Sequence, residues 1–231
     1  AARADLTLRW EKNTLEVRSP RMPGETLSVW YLEAFCRRGS TKREWQKTVI
    51  PHRTELLTAS GDGKALELES LMVDGNVRVR HQIRAVADGV DFRLTLRNLT
   101  GEFRDIEWAQ PCVRVDRFTA LGQQEYVRKC FLFTAGGLTT LDRTRRTEEA
   151  LYRGGQVYVP KGINLEDVNP RPISPEAPAN RLIGCFSGDG NYLLATAWEP
   201  TQELFQGVRV CIHNDFRIGG LAPHQTKEVR G

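Results

Sequence analysis

The segment 207–215, GVRVCIHND, has the residue types best suited to chemistry. If it forms a β-strand, successive side chains point to opposite faces, so Arg209, Cys211, His213 and Asp215 share one face. An imidazole beside a carboxylate can act as an acid or a base, and a guanidinium can pair with an anion. We therefore expect His213 to be catalytic, with Arg209 and Asp215 binding substrate. The alternative is a solvated outer face, with His213 hydrogen-bonded to a neighbouring strand.

Tryptophan stands next to a carboxylate at two places in the chain, Trp198-Glu199 and Glu107-Trp108. Sugar-binding sites use such pairs, because an aromatic ring stacks on an apolar sugar face while a carboxylate accepts hydroxyl hydrogen bonds. This pattern predicts Trp198 and Trp108 as substrate-binding residues and Glu199 as a catalytic carboxylate. The alternative is that both rings lie in the core, since large aromatic side chains dominate core packing.

Arginines are concentrated on the polar side of the most regular part of the chain, residues 77–98. A guanidinium recognises carboxylate or sulfate in a forked geometry, so Arg80 is a candidate ligand for an acidic sugar. The alternative is a solvated sheet face on which nearby Asp and Glu residues neutralise the arginines. The arginines are Arg78, Arg80, Arg84, Arg93 and Arg97.

Motifs for metal or cofactor binding are absent from the sequence. There is no CxxC pair, no GxSxG nucleophile elbow and no phosphate-binding loop ending in GKS or GKT. The histidines are widely spaced, so we expect no metal ion and no cofactor. The cysteines are also far apart and are expected to be buried free thiols, with one disulfide as the alternative in an exported protein. These residues are His52, His81, His213 and His224, and Cys36, Cys112, Cys130, Cys185 and Cys211.

The elements that would position these groups are β-strands, and residues 77–98 give the clearest signal. Two runs of alternating apolar and polar residues are separated by Asp88-Gly89, which marks a turn. Each run has one apolar face and one polar face, so the pattern predicts a long antiparallel hairpin. His81 falls on the apolar face and is expected to be a hydrogen-bonded core histidine. A third strand is expected near residues 102–115.

Strand patterns separated by turn signals about every 8–12 residues predict an all-β fold, a large antiparallel β-sandwich. The section 117–180 is irregular and rich in proline, with one short helix predicted at 144–152, and it is either a flexible excursion or an ordered functional loop. Residues 1–231 are expected to form a single domain. The further strands predicted are 6–10, 14–18, 27–36, 49–58, 65–72, 181–187, 191–198, 207–215 and 225–230.

Composition narrows the classes of function. The chain has 231 residues with a net charge of +4, 40% hydrophobic and 27% charged residues, as is ordinary for a globular protein. No apolar run approaches the roughly 20 residues of a membrane helix, and no lysine-rich tract indicates nucleic-acid binding. The N-terminal AARA is typical of the stub left by signal-peptide cleavage or of a chain boundary, which favours a periplasmic or secreted location.

The stretch DGVDFRLTLRNLTGEFRDIEWAQPCV resembles the galactose mutarotase-like proteins, in which a long hairpin ends in Asn followed by Thr or Asp. The resemblance covers about residues 64–115 and implies a β-supersandwich with a sugar site on its concave sheet. Mutarotases have an Asn-His pair beyond the hairpin, where this chain has Ala109-Gln110-Pro111-Cys112. No catalytic residue of the family is therefore carried over to that position.

Together these observations predict a protein that acts on a glycan, possibly an acidic one, on the concave sheet face. As a lyase, hydrolase or epimerase it would use His213 or Tyr126 for proton transfer and Glu199 as the partner carboxylate. Arg209 would bind or neutralise the sugar. The alternative is a non-catalytic carbohydrate-binding or accessory domain that uses the same surface.

Overall fold

A computed structural model of the chain describes residues 5–231, except for the side chains of residues 151–153. The prediction about the N-terminal AARA concerns residues 1–4, which lie outside this range. The fold is an antiparallel, all-β sandwich of three sheets with three short α-helices, which confirms the predicted fold class.

The strands in chain order are β1 (Thr7–Glu11), β2 (Thr14–Arg18), β3 (Thr26–Cys36), β4 (Val49–Ile50), β5 (His52–Ala59), β6 (Ala65–Met72), β7 (Val77–Ala85), β8 (Val90–Asn98), β9 (Trp108–Arg114), β10 (Cys130–Thr134), β11 (Gly137–Thr140), β12 (Gln156–Tyr158), β13 (Leu182–Phe186), β14 (Leu193–Ala197), β15 (Thr201–Gln206), β16 (Cys211–Arg217) and β17 (Thr226–Arg230). The α-helices are α1 (Trp45–Thr48), α2 (Asp116–Thr119) and α3 (Glu148–Arg153). Short 3₁₀ turns lie at Ser40–Lys42, Tyr126–Arg128, Leu141–Arg143 and Leu165–Asp167.

A large sheet forms the centre of the molecule, with strand order β1-β2-β3-β9-β16-β15-β12 and β4 paired to β3. A five-stranded sheet has the order β17-β8-β7-β6-β5, and a four-stranded sheet has the order β11-β10-β13-β14. One hydrophobic cluster includes Ile212 from the large sheet, Leu68 from the five-stranded sheet and Leu132 from the four-stranded sheet. Both smaller sheets therefore pack against the same side of the large sheet.

The predicted hairpin is confirmed as β7 and β8, which pair from Val77↔Asn98 to Ala85↔Val90. The third strand differs from the expectation, since β9 begins only at Trp108 and belongs to the large sheet. Asn98 explains the departure of the chain. Its side-chain nitrogen donates to the carbonyls of Glu102 and Ala222, and its side-chain oxygen accepts from the backbone of Thr100. Fully buried, Asn98 turns the chain out of the five-stranded sheet.

The section 117–180 is more ordered than its composition indicates. It contributes β10, β11 and β12 to two sheets, and α3 begins four residues later than the helix predicted at 144–152. Its proline-rich second half packs on the large sheet, where Val159 and Val168 contact Val157 and Phe205. Much of this section is therefore regular secondary structure packed against the sheets. The reason is tertiary, because these short strands are held by neighbours that are distant in sequence.

The strand predicted at 207–215 begins four residues later and ends two residues later, since β16 runs from Cys211 to Arg217. Residues 207–210 form a bend, and a strand that the sequence did not indicate, β15, precedes them. All six residues of β15, TQELFQ, are buried. The strand therefore lacks the alternation of buried apolar and exposed polar residues that would indicate it in the sequence.

All five cysteines are buried, and no disulfide joins any two of them. Among the described residues no helix is both long enough and apolar enough to span a membrane.

His81 is fully enclosed by hydrogen-bond partners, as predicted. Its Nδ1 lies 2.9 Å from the Tyr31 hydroxyl and its Nε2 lies 2.8 Å from Ser70 Oγ. Burial lowers the pKa of His81 from 6.5 to about 3, because the interior disfavours an imidazolium. Between these two pH values the unfolded chain binds a proton that the folded chain does not. The free energy of unfolding therefore falls as the pH falls through this window.

We predict that His81→Gln lessens the loss of stability on acidification. The expected difference in slope is up to about 1.4 kcal/mol per pH unit, the effect of one proton. Chemical denaturation at several pH values between 6.5 and 4 measures it. His224→Gln, at an exposed histidine, serves as the control and should keep the wild-type slope. An unchanged slope in His81→Gln would contradict the assignment.

Candidate functional site

The outer face of the large sheet, which points away from the hydrophobic core, carries the concentration of polar groups. On β16, Ile212 and Phe216 belong to the core cluster, so Cys211, His213 and Asp215 point to the outer face. The neighbouring strands add partners on the same face, because Cα-paired residues of adjacent strands point the same way.

His213 lies at the centre of this face and is 2% exposed. Its Nδ1 is 2.9 Å from the amide nitrogen of Gln110 and 3.7 Å from Asp215 Oδ1. Its Nε2 is 3.3 Å from Cys211 Sγ. The imidazole is therefore held at both nitrogens, with a thiol on one side and an amide and a carboxylate on the other.

Asp215 and Glu203 form a fully buried carboxylate pair, Cα-paired across β16 and β15. The Asn169 backbone N–H donates to Glu203 Oε1 and Oε2 at 3.2 and 3.0 Å. Both oxygens of Asp215 lack a hydrogen-bond partner among the described residues. Burial is the main reason that the pKa of Glu203 is well above its ordinary value and that the pKa of Asp215 is raised to about 6. Two adjacent buried carboxyl groups cannot both ionise easily, so one of them holds a proton.

The thiols of Cys112 and Cys211 lie beside the imidazole on the same face. These two sulfur atoms and a ring nitrogen of His213 all lie within 4.8 Å of one another. A hydrogen bond with Cys112, aided by the charge of His213, lowers the pKa of the Cys211 thiol to about 4 despite its burial. The same bond and burial raise the pKa of Cys112. Burial opposes protonation of His213, but the charges of the two cysteines raise its pKa overall.

Residues 159–180, the covering segment, enclose the deeper half of this face. Ser40 Oγ donates to the Val168 carbonyl at 2.7 Å, and the Gly39 backbone N–H donates to Asp167 Oδ1 at 2.7 Å. Asn169 Nδ2 donates to Gln110 Oε1 at 3.4 Å. The segment is thus attached both to the turn at Ser40–Lys42 and to the polar cluster, and it separates the buried carboxylates from solvent.

The other half of the face is open. Trp30 is Cα-paired with Cys112 and is 47% exposed. Glu33 is half-buried, and its Oε2 accepts from the Gln110 amide at 3.5 Å. Burial raises the pKa of Glu33, chiefly because the charged form is desolvated. Arg114, also half-buried, is Cα-paired with Cys211. An aromatic ring, a carboxyl group and a guanidinium therefore border the enclosed cluster.

Of the residues predicted from sequence, the structure brings His213, Asp215 and Tyr126 into one region. The Tyr126 hydroxyl donates to the Gly207 carbonyl at 2.9 Å, and burial raises the pKa of the phenol. Gly207 adjoins both Cys211 and His213. Tyr126 therefore supports the loop against which the thiol and the imidazole lie.

Both predicted tryptophans are buried. Trp198 packs in the core, with ring centroids 4.7 Å from Phe216 and 5.2 Å from Phe92. Trp108 is on the outer face but fully covered, and its Nε1 donates to Ser40 Oγ at 3.2 Å. For both rings the geometry follows the alternative considered from sequence, a place in the packed interior.

Glu199, Arg209 and Arg80 lie apart from His213. Glu199 is exposed between β14 and β15, and its backbone bridges to Arg230. Arg209 is exposed in the bend before β16, so it does not continue the row of alternating side chains. Arg80 is on the polar side of the five-stranded sheet, where its Nε is 2.8 Å from Glu69 Oε2.

Sequence reasoning missed six residues of this face. Their common signal is tertiary, because each becomes a neighbour of His213 or of another of these residues only through strand pairing or loop packing. Wide spacing in sequence was also the basis for expecting no metal site. Across the β9–β16 pair, however, the register sets Cys112 opposite His213, and the donor atoms of Cys112, Cys211 and His213 lie within 4.8 Å of one another. The missed residues are Trp30, Glu33, Gln110, Cys112, Arg114 and Glu203.

No protein-family model matches the chain, and no curated protein is similar enough to count as a relative.

We predict that Glu203→Gln lessens the decline in the free energy of unfolding that occurs as the pH rises. The folded chain retains the Glu203 proton above pH 4.5, where the unfolded chain releases it, so wild-type stability declines as the pH rises. Glutamine keeps one oxygen for Asn169 and cannot ionise. The decline in the free energy of unfolding between pH 5 and pH 8 should be shallower, by up to about 1.4 kcal/mol per pH unit.

Denaturant titrations across this range measure the slope. The exposed Glu228→Gln should leave it unchanged. A Glu203→Gln protein with the wild-type slope would show that Glu203 is ionised in the folded state.

Proposed function

We propose that this protein is a carbohydrate-active enzyme that uses the open half of the outer face. The observation that carries the proposal is the place of Trp30. This largely exposed ring is Cα-paired beside an enclosed set of acid, base and thiol groups. Exposed tryptophan is the residue type best suited to stack on a sugar ring, and the carboxyl and amide groups nearby suit its hydroxyls.

Glu33 is the group best placed for proton donation to such a ligand. It is half-buried and so retains access to the open face, whereas Glu203 and Asp215 are enclosed. Its raised pKa keeps the carboxyl protonated nearer to neutral pH, as a general acid requires. Glu33 replaces Glu199 in the role expected from sequence.

His213 influences Glu33 through Gln110. The Gln110 amide nitrogen lies 2.9 Å from His213 Nδ1 and 3.5 Å from Glu33 Oε2, so one side chain links the imidazole to the carboxyl group. Through this link the charge on the enclosed cluster biases the proton on Glu33. His213 acts here as a positioning residue, because it is too deeply buried to contact a bound sugar.

Arg114 favours acidic sugars over neutral ones. Its position opposite Cys211, on the outer face beside Trp30, sets a half-buried guanidinium within the same surface. A guanidinium pairs with a carboxylate or sulfate more strongly than with a hydroxyl group. Arg114 takes the role that sequence reasoning gave to Arg209.

A non-catalytic glycan-binding surface is the second candidate. The observation that favours it is the enclosure of His213, Cys211 and Asp215, which leaves Trp30, Glu33 and Arg114 as the groups nearest to solvent. In that case Trp30 would bind the sugar, and the enclosed cluster would serve stability alone.

Two substitutions distinguish these candidates. Trp30→Ala should weaken glycan binding about tenfold or more, because it removes the stacking surface. Glu33→Gln should lower turnover about 100-fold or more while binding stays within about threefold, the pattern of a lost general acid. Calorimetry and product analysis with neutral and acidic oligosaccharides measure both effects.

Tyr192→Ala is the matched control, because Tyr192 is also 47% exposed but lies beside the four-stranded sheet. It should retain wild-type binding and turnover. Binding that depends on Trp30, without any product from wild type, would select the non-catalytic candidate. Absence of both binding and product across the whole set would refute the two proposals together.

A further inference from the structure

We propose that Cys112, Cys211 and His213 form a zinc site on the outer face of the large sheet. The inference concerns metal binding alone and does not rest on the glycan proposal.

The donor atoms lie close to the spacing of a tetrahedral site. Zinc bound at about 2.3 Å to sulfur and about 2.0–2.1 Å to nitrogen places two sulfurs about 3.8 Å apart and a sulfur and a nitrogen about 3.6 Å apart. Here Cys211 Sγ is 3.3 Å from His213 Nε2, and the nearest donor atoms of all three residues lie within 4.8 Å of one another. The longest separation exceeds the tetrahedral values by at most about 1.2 Å, so side-chain adjustment can bring the donors to a common ion.

The donors converge because of strand pairing. Ile212 is Cα-paired with Val113, so the continuing register sets His213 opposite Cys112. Cys211 and His213 are two residues apart on β16 and point to the same face. All three side chains are thus presented by two adjacent strands at the centre of a sheet, a rigid frame for a metal site.

The environment of Asp215 is the second observation that indicates a cation site. This carboxylate is completely buried, its two oxygens have no hydrogen-bond partner among the described residues, and Oδ1 lies 3.7 Å from His213 Nδ1. A histidine that binds zinc through Nε2 carries its proton on Nδ1, and a carboxylate is a frequent acceptor of that proton.

Gly207 makes the approach of these donors sterically feasible. A Cβ added at this position would lie 2.1 Å from Cys211 Sγ and 3.3 Å from His213 Nε2. Every other residue type would therefore displace the thiol. The Gly207 carbonyl accepts the Tyr126 hydroxyl, which holds the loop against the site.

The donor set selects the metal. Two thiolates and one imidazole suit zinc, a borderline-soft ion, and disfavour calcium or magnesium, which bind oxygen ligands. Three protein ligands leave one position of the tetrahedron for water or a further ligand. Zinc binds cysteine as the thiolate, so protons compete with the metal and affinity should fall as the pH is lowered.

The test uses reduced, metal-free protein of the full chain. One equivalent of Zn²⁺ should bind in competition with a chromophoric chelator and raise the melting temperature. Co²⁺ in its place should give thiolate-to-metal charge-transfer absorption. Cys112→Ala, Cys211→Ala and His213→Gln should each weaken Zn²⁺ binding about 100-fold or more, and Asp215→Asn about 10-fold to 100-fold.

Cys36→Ala is the matched control, because Cys36 is a buried cysteine on β3 of the same sheet and belongs to a separate apolar cluster. It should bind Zn²⁺ within about threefold of wild type. Circular dichroism and thermal denaturation establish that each variant is folded. If a site variant does not fold, the Co²⁺ spectrum and the melting temperature of wild type decide.

Absence of thiolate-to-cobalt absorption in folded wild-type protein would overturn the proposal. So would Zn²⁺ affinity that is unchanged in folded Cys112→Ala and Cys211→Ala. Glycan binding is measured in a separate assay, so failure of the metal site and failure of the glycan proposal give distinguishable results.

Discussion

The burial of two carboxyl groups side by side is the constraint on which the outer face depends. Glu203 and Asp215 are fully enclosed on adjacent strands, and an unpaired charge in such a place costs several kcal/mol. The Asn169 backbone N–H offsets part of this cost at Glu203, and the Asn169 side chain joins Gln110 to the same network. The covering segment is therefore part of the site, because it sets the dielectric environment of every group beneath it.

The two faces of the large sheet have different roles, since one packs in the core and the other carries the polar cluster. On β16, Ile212 and Phe216 pack in the core while Cys211 and His213 point outward. A shift of one residue in register would exchange these sets and destroy both the core and the site. The stability of the sandwich and the geometry of the polar cluster are thus coupled through the register of β9 and β16.

The outer face has an enclosed half and an open half, and Gln110 lies between them. Its amide contacts His213 on the enclosed side and Glu33 on the open side. A change of charge at the thiols would alter the pKa of Glu33 through the contacts of His213 and Gln110, because electrostatic interactions are strong in an interior of low polarity. The proposed metal binding and the proposed glycan chemistry would therefore be linked through one amide side chain.

The sequence by itself determined the all-β class, the β7–β8 hairpin and the core role of His81, because alternation with a period of two is a local property. The sequence also indicated that His213 and Asp215 share one face of a strand, because they are two residues apart. Tertiary structure alone decided which residues surround them, since Glu33, Gln110, Cys112 and Glu203 come from three other strands. It also decided that Trp30 is exposed and that Trp198 is buried, because exposure depends on which face of a sheet another layer covers.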